Sequence, residues 1–376
     1  MANQAPAIRV AHIIKNLPFH GGTTQYLHSL LSALDLAQFP SEIIVLESDT
    51  AGDSLADVLR ARGVPVTYLD MPRSVDTAAL KQVADLLRAH GVMIVQTHLA
   101  RSHIYGGLAA LWQRLPVIIT EHGIVRNRTL PVRVWDNFFG QRVAGIVCNS
   151  RATQRAVQRD LPLVPASKVR VIYPGVPDWH GAAPSSVTRT GLGLQPDHLV
   201  IGYFGTFMPV RRHAFLLDAF ARVVVQVPQA RLLLMGEGPL RRDVEIDVQA
   251  RGLSHAVHVL GAREDARQVL GLLDAYVNPA SAEAFGIATV EAMLAGLPTV
   301  VANCGALPEL ITHEHTGLLV DPEDAAALAT ALLRVLTDPT RARQWGQAAR
   351  QSALVRFSPA QFAHQFATVY RALSHG

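Results

Sequence analysis

Two doubly wound α/β domains are what this sequence predicts, and three observations carry that expectation. Short apolar runs alternate with helical patterns along the whole chain, the signature of parallel sheets covered on both faces. The chain has 376 residues, which favours two domains of ordinary size over one. Near the middle, residues 173–196 are rich in Gly, Ala, Pro, Ser and Thr and lack periodicity, which marks a boundary.

Each element follows from its local pattern. In the first half, apolar runs at 8–14, 43–47, 66–69, 92–98, 117–121 and 145–149 read as strands. Between them, stretches such as 24–36 and 77–89 carry apolar residues at helical spacing. In the second half the strands are 199–205, 231–235, 257–260, 275–278 and 299–302, separated by helices at 212–227, 239–251 and 266–274. The end, 359–373, is an amphipathic helix with Phe362, Phe366, Val369 and Leu373 on one stripe. The domains expected are 1–175, a linker at 176–196, 197–355, and a final helix over 356–376 that either crosses back to the first domain or packs on its own.

Composition narrows the class. The chain is 49% hydrophobic and 17% charged, so it can bury sizeable cores. No run approaches the roughly 18 apolar residues of a membrane span, and residues 1–8 lack the pattern of a secretory signal. Two cysteines, Cys148 and Cys304, exclude a disulfide framework and fit a cytoplasmic protein. The net charge of +4 comes from scattered basic residues, with no zinc spacing or RNA-binding aromatic signature, so nucleic acid is a poor partner. The three lysines, Lys15, Lys81 and Lys168, all lie in the first half, which disfavours a Schiff-base lysine in the second.

The most informative stretch runs Glu283-Ala284-Phe285-Gly286-Ile287-Ala288-Thr289-Val290-Glu291. Ala292 to Val301 then read as a helix, a glycine stop, Pro298 and a buried strand. Glu283 therefore sits in a loop and Glu291 in the early turns of the next helix. Gly286 lets the backbone approach a ligand at the helix start, where free N–H groups suit a phosphate. Two carboxylates beside an anion need polyol partners, and the hydroxyls of ribose and hexose supply them.

This stretch resembles the E-x7-E signature of retaining glycosyltransferases, in particular glycosyltransferase family 4. The resemblance implies the GT-B fold, two Rossmann-like doubly wound domains facing a central cleft. Glu283 is then expected to bind the hydroxyls of the donor sugar and Glu291 the ribose, with Phe285, Gly286 and Ile287 as further donor contacts. A Gly-Arg pair is expected after the strand 199–205, with a second cation several positions on. Here Arg211 or Arg212 matches the second cation, but Gly205 is followed by Thr206, so the first charge of the diphosphate clamp is missing unless Arg212 substitutes for it. Gly236, in Met235-Gly236-Glu237-Gly238, matches a turn lining the nucleotide pocket. The strand end His258 to Gly261 approaches the nucleobase, with Arg263 expected in solvent. Gly305 and Leu307, in the turn Asn303 to Leu310, match donor contacts made through backbone N–H groups.

The first domain is expected to face the acceptor. Phe19-His20-Gly21-Gly22 matches the family's mobile loop after the first strand, with Gly22 close to the sugar-diphosphate. Thr120-Glu121-His122 closes a buried strand, and such ends point into the cleft. The resemblance sets His122 near the transferred sugar, to hydrogen-bond a hydroxyl or steady charge at the anomeric carbon. His98 and His103 lie at another strand end and are expected to line the acceptor pocket. Residues 126–139 mix cations with aromatics, which raises a peripheral contact with an anionic membrane face. The reading preferred there is a loop followed by a helix that packs Trp135 and Phe139 inward.

No Asp-x-Asp occurs, so no metal or other cofactor is expected. By resemblance the enzyme moves a hexose from a nucleotide-diphosphate sugar to a glycan or lipid-linked acceptor with retention, the leaving phosphate taking the acceptor proton on the same face. Two alternatives stay open: a nucleotide-sugar epimerase of the same fold, and a non-catalytic nucleotide-sugar-binding module.

Overall fold

The structure is a computed structural model and describes residues 6–18, 21–47, 54–71, 77–124, 130–179 and 186–374. The chain divides into two compact units, Met1–Pro177 with Phe357–Gly376, and Asp178–Arg356.

Unit 1 is built on a seven-stranded parallel sheet. Its strands are β1 (Val10–Ile14), β2 (Ser41–Val45), β3 (Val66–Tyr68), β4 (Ile94–His98), β5 (Val117–Glu121), β6 (Gly145–Cys148) and β7 (Val169–Val171), in the order β3-β2-β1-β4-β5-β6-β7. Every residue of β1, β2, β4, β5 and β6 is buried, as expected of parallel strands with helices on both faces. Residues Ile14 and His98 stand opposite each other at the carboxyl ends of β1 and β4, where the strand order reverses. The helix Arg151–Asp160 starts at Ser150, whose hydroxyl accepts the Thr153 N–H at 3.0 Å, the ordinary N-cap. The final helix, Pro359–Ser374, packs on this unit. Its Phe362 ring meets Tyr26 edge-on at 4.8 Å, and Tyr370 lies 5.8 Å from Phe39. The Tyr370 hydroxyl donates to Gln96, which donates in turn to Thr120 at 2.7 Å.

Unit 2 carries six parallel strands, β8 (Leu199–Phe204), β9 (Ala230–Met235), β10 (Val257–Gly261), β11 (Ala275–Asn278), β12 (Thr299–Ala302) and β13 (Leu318–Val320), in the order β10-β9-β8-β11-β12-β13. Asp324 caps the helix Ala325–Thr337, accepting from Ala326 and Ala327 at 2.8 and 2.9 Å. Here the order reverses between β8 and β11, so the loops after those two strands flank the switch point, the usual ligand position in such sheets.

Three expectations need correction. β7 and β13 were not anticipated; both are edge strands of three residues, too short to display a period. Residues 186–196, expected in the linker, are packed on unit 2. Leu192 and Leu194 are buried in its core, and Arg189 pairs with Asp274 at 2.9 Å; polar, glycine-rich sequence here conceals two anchoring leucines. In the helix Leu130–Gly140, Phe139 is buried as expected, but Trp135 remains 38% exposed and stacks on Phe139 at 6.2 Å. Four residues apart, the two rings share one helix face, and Trp135 covers Phe139 from outside.

Candidate active site

Glu283 is the point on which three loops of unit 2 converge. It follows β11 by five positions and is 9% exposed. Its carboxylate accepts from Arg211 and from Asn278 Nδ2, the latter at 3.4 Å, while Asn278 also donates to Thr289 Oγ1 at 3.2 Å. The Glu283 carbonyl accepts the Ala306 N–H at 2.9 Å. The turn after β12 can come this close because residue 305 is glycine. Gly305 has φ 54°, and a Cβ there would stand 2.3 Å from the Glu283 carbonyl oxygen and 2.7 Å from its nitrogen. The helix Ile287–Leu294 opens directly after Phe285, with Gly286 as a left-handed N-cap, leaving the first N–H groups free of intrahelical partners. Leu307 is fully buried and lies beneath Gly286.

The loop after β8 supplies the cation. Ser281 N–H donates to the Val210 carbonyl at 2.9 Å, which ties this loop to the Glu283 loop. Arg211 and Arg212 then diverge, because Arg212 has φ 54° and ψ 47° as N-cap of the helix His213–Gln226. Arg211 turns to Glu283. Arg212 turns away to Glu323 at 2.9 Å and the Pro322 carbonyl, over the Phe215 ring. Neither is solvated, with side chains 23% and 21% exposed. Gly205 is fixed by its N–H to the Met235 carbonyl at 3.0 Å, and Gly236 lies so close that a Cβ there would fall 1.9 Å from the Gly205 oxygen. The two glycine turns therefore form one backbone layer.

Glu291 is held apart from this group. Arg267 contacts its carboxylate at 2.9 and 3.0 Å. Burial raises its pKa, and Arg267 opposes that shift. Arg263, expected in solvent, pairs with Asp265 at 2.6 Å and is half-buried. Burial, and then the charge of Glu283, push the Cys304 thiol up to about 11, and its Sγ contacts the Ala280 carbonyl at 2.9 Å. That shift keeps it in the thiol form near neutral pH.

In unit 1 the carboxyl ends of β1, β4 and β5 gather histidines. His98 Nδ1 lies 3.2 Å from His122 Nε2, and His98 Nε2 lies 3.4 Å from His12 Nδ1. Tyr26 stands edge-on to His122 at 4.7 Å. Burial lowers His122 to about 4 and His12 to about 3, and holds His98 well below its ordinary value. His103 pairs with Thr97 Oγ1 at 2.8 Å and lies 3.9 Å from Glu121. Direct acceptor contact by His98 and His103 does not fit their burial, 0% and 7% exposed. His98 closes a central strand, where both faces are covered, and His122 is the half-buried ring beyond it. Gly22 is the first residue of the helix Gly22–Ala33; Phe19 and His20 of the same loop lie outside the described residues, as do Arg126 to Thr129.

Asn278, Arg267 and His12 escaped the sequence reading. Asn278 had a signal, a polar residue closing a buried strand. Arg267 and His12 had none, since their partners are 24 and 86 positions away. Among the described residues no group of three or more His, Cys, Asp or Glu side chains is arranged to hold a metal ion, and no helix is long and apolar enough to cross a membrane.

Comparison with known proteins gives the family. Residues 20–179 match the family model described as Glycosyltransferase Family 4, and residues 187–352 match that of Glycosyl transferases group 1. The chain is 26% identical to the UDP-Gal:alpha-D-GlcNAc-diphosphoundecaprenol alpha-1,3-galactosyltransferase of Escherichia coli, over 88% of each chain. It is also 26% identical to the alpha-maltose-1-phosphate synthase of Mycolicibacterium smegmatis, over 75% of this chain and 79% of that one. Its fold matches that of HepE from Anabaena, solved with UDP and glucose, with a TM-score of 0.84 at 21% identity over 97% of this chain and all of the other. The chain therefore belongs to glycosyltransferase family 4, with two Rossmann-like units of the GT-B fold, and is a glycosyltransferase.

Proposed function

We propose that the protein transfers a hexose with retention, without a metal, to a glycan or lipid-linked acceptor in cell-surface polysaccharide, lipopolysaccharide or glycolipid synthesis. The observation that supports this is the convergence on Glu283 of Arg211, Asn278 and the Gly305 turn. Glu283 is a buried carboxylate already paired with one cation, and a sugar's hydroxyls can take its remaining lone pairs. Arg211 and the N-terminus of the helix Ile287–Leu294 would meet the diphosphate charge as it leaves. Glu291 would hold the ribose. In the transfer itself, the anomeric carbon–oxygen bond to the diphosphate breaks. The acceptor hydroxyl bonds to that carbon on the same face, and its proton passes to the departing phosphate oxygen. The Escherichia coli relative uses UDP-Gal and a diphosphoundecaprenol-linked acceptor by name, which favours a UDP-hexose and a lipid-linked acceptor here. On the helix Leu130–Gly140, Val134, Trp135 and Phe138 are exposed near Arg142, a face suited to peripheral contact with an anionic membrane.

The test is a screen against UDP-, GDP- and ADP-sugars with EDTA present, with and without undecaprenyl-diphosphate-linked sugars, reading free nucleotide diphosphate. Release from one donor, lost in Glu283→Ala and Arg211→Ala, supports the reading. Release that requires added Mg2+ or Mn2+, or product of inverted configuration, would overturn it.

A further inference from the structure

His12, His98 and His122 form a line, His12 inside β1, His98 at the end of β4 and His122 just past β5. A contact between two imidazole nitrogens is a hydrogen bond only when one of them carries a proton and the other does not. Burial leaves all three rings neutral near pH 7, so each holds one ring proton. Around His122, Glu121 favours the charged form and His103 opposes it. With His98 in the middle, only two arrangements satisfy both contacts. In the first, His12 Nδ1–H donates to His98 Nε2, His98 Nδ1–H donates to His122 Nε2, and His122 keeps its proton on Nδ1. In the second, every proton sits on Nε2, the direction reverses, and His12 ends the line with a buried Nε2–H.

The buried end discriminates between them. His12 is fully buried, and its Nε2 has no hydrogen-bond partner among the described residues. Among main-chain groups an orphaned buried N–H is rarer than an under-satisfied carbonyl, and by the same ordering the first arrangement is preferred. We propose that His12 and His98 are positioning residues that fix the tautomer of His122, its proton on Nδ1 and its Nε2 turned to His98, so that His122 presents a neutral Nδ1–H donor. The effect on sugar release rests on the function proposed above; the tautomer does not.

The experiment labels the protein with 15N-histidine and reads long-range proton–nitrogen correlations at pH 7 without donor, assigning His122 by the signals lost in His122→Asn. The expected result is a protonated Nδ1 and an unprotonated Nε2 on His122. A protonated Nε2, an imidazolium or a fast average of two tautomers would overturn the proposal, and this wild-type spectrum decides even if a variant fails to fold. His12→Leu should release the line, so that His122 averages between tautomers. His12→Asn, whose amide N–H stands near the position of Nδ1, should restore the Nδ1–H form. An unchanged His122 spectrum in His12→Leu would show that His12 does not set it. Sugar release should fall about tenfold in His12→Leu, the worth of one hydrogen bond, and recover in His12→Asn. Absent release with the expected tautomer would count against the transferase reading alone.

Discussion

Gly305→Ala tests whether the approach of the Gly305 turn positions Glu283 for turnover. The new Cβ would stand 2.3 Å from the Glu283 carbonyl oxygen, where real Cβ atoms essentially never come under 3.0 Å, so the two backbones must part by about 0.7 Å. Both partners are main chain, and no side chain can swing aside. The left-handed φ of 54° adds a penalty of about 1–2 kcal/mol for any residue with a Cβ. Overpacking contributes about 1–3 kcal/mol more. Gly252→Ala is the control: it has φ +69° and nothing within 4 Å of its Cβ, so it carries the backbone penalty without the overlap. For a unit of this size each kcal/mol lowers Tm by roughly 2–4 °C. Displacement of a catalytic group by about 1 Å costs up to about a hundredfold. Gly305→Ala is therefore expected to lose about tenfold to a hundredfold in nucleotide-diphosphate release, and Gly252→Ala almost none, with both proteins folded by circular dichroism. Equal activity in the two variants would refute the claim that this contact positions Glu283.

Three further outcomes follow from other contacts. Arg267→Ala removes the cation that opposes the raised pKa of Glu291, so that pKa should climb further. A carboxyl with a raised folded pKa binds more protons folded than unfolded, so its ionisation costs stability as pH rises above about 4.5. The variant's deficit in urea denaturation should therefore grow between pH 4.5 and 7 and shrink in acid; the opposite trend would refute the pairing. Tyr370→Phe strips the donor from buried Gln96 and should cost about 1–3 kcal/mol, read as a lower urea midpoint. The depressed histidines run the other way from Glu291. The unfolded chain binds their protons from about pH 6.5, and folded His12 and His122 only near about 3 and about 4, so stability should fall as pH drops below about 6.5, by up to about 1.4 kcal/mol per pH unit per histidine. His12→Asn should flatten that slope.

Much of this protein was legible in its sequence because the relevant signals are local. The apolar runs of β1, β4, β5, β8 and β11 declare themselves within a few residues, and so does the final helix with Phe362 and Phe366 on one stripe. The Glu283–Glu291 segment is a contiguous motif, and its glycine N-cap and helix follow from neighbours in sequence. What the sequence left open are matters of register and backbone direction. Whether Arg211 or Arg212 reaches the carboxylate depends on one left-handed residue, which sends adjacent side chains to partners 72 and 111 positions away. Arg267 meets Glu291, and His12 meets His98, only because parallel strands and their loops are laid side by side in a particular order. Edge strands of three residues and the leucines hidden in a polar segment were likewise decided by packing. Period and spacing specify which elements form and which chemistry they carry. Which side chains finally touch is set by the summed burial of residues far apart in the chain, and that is a property of the tertiary structure alone.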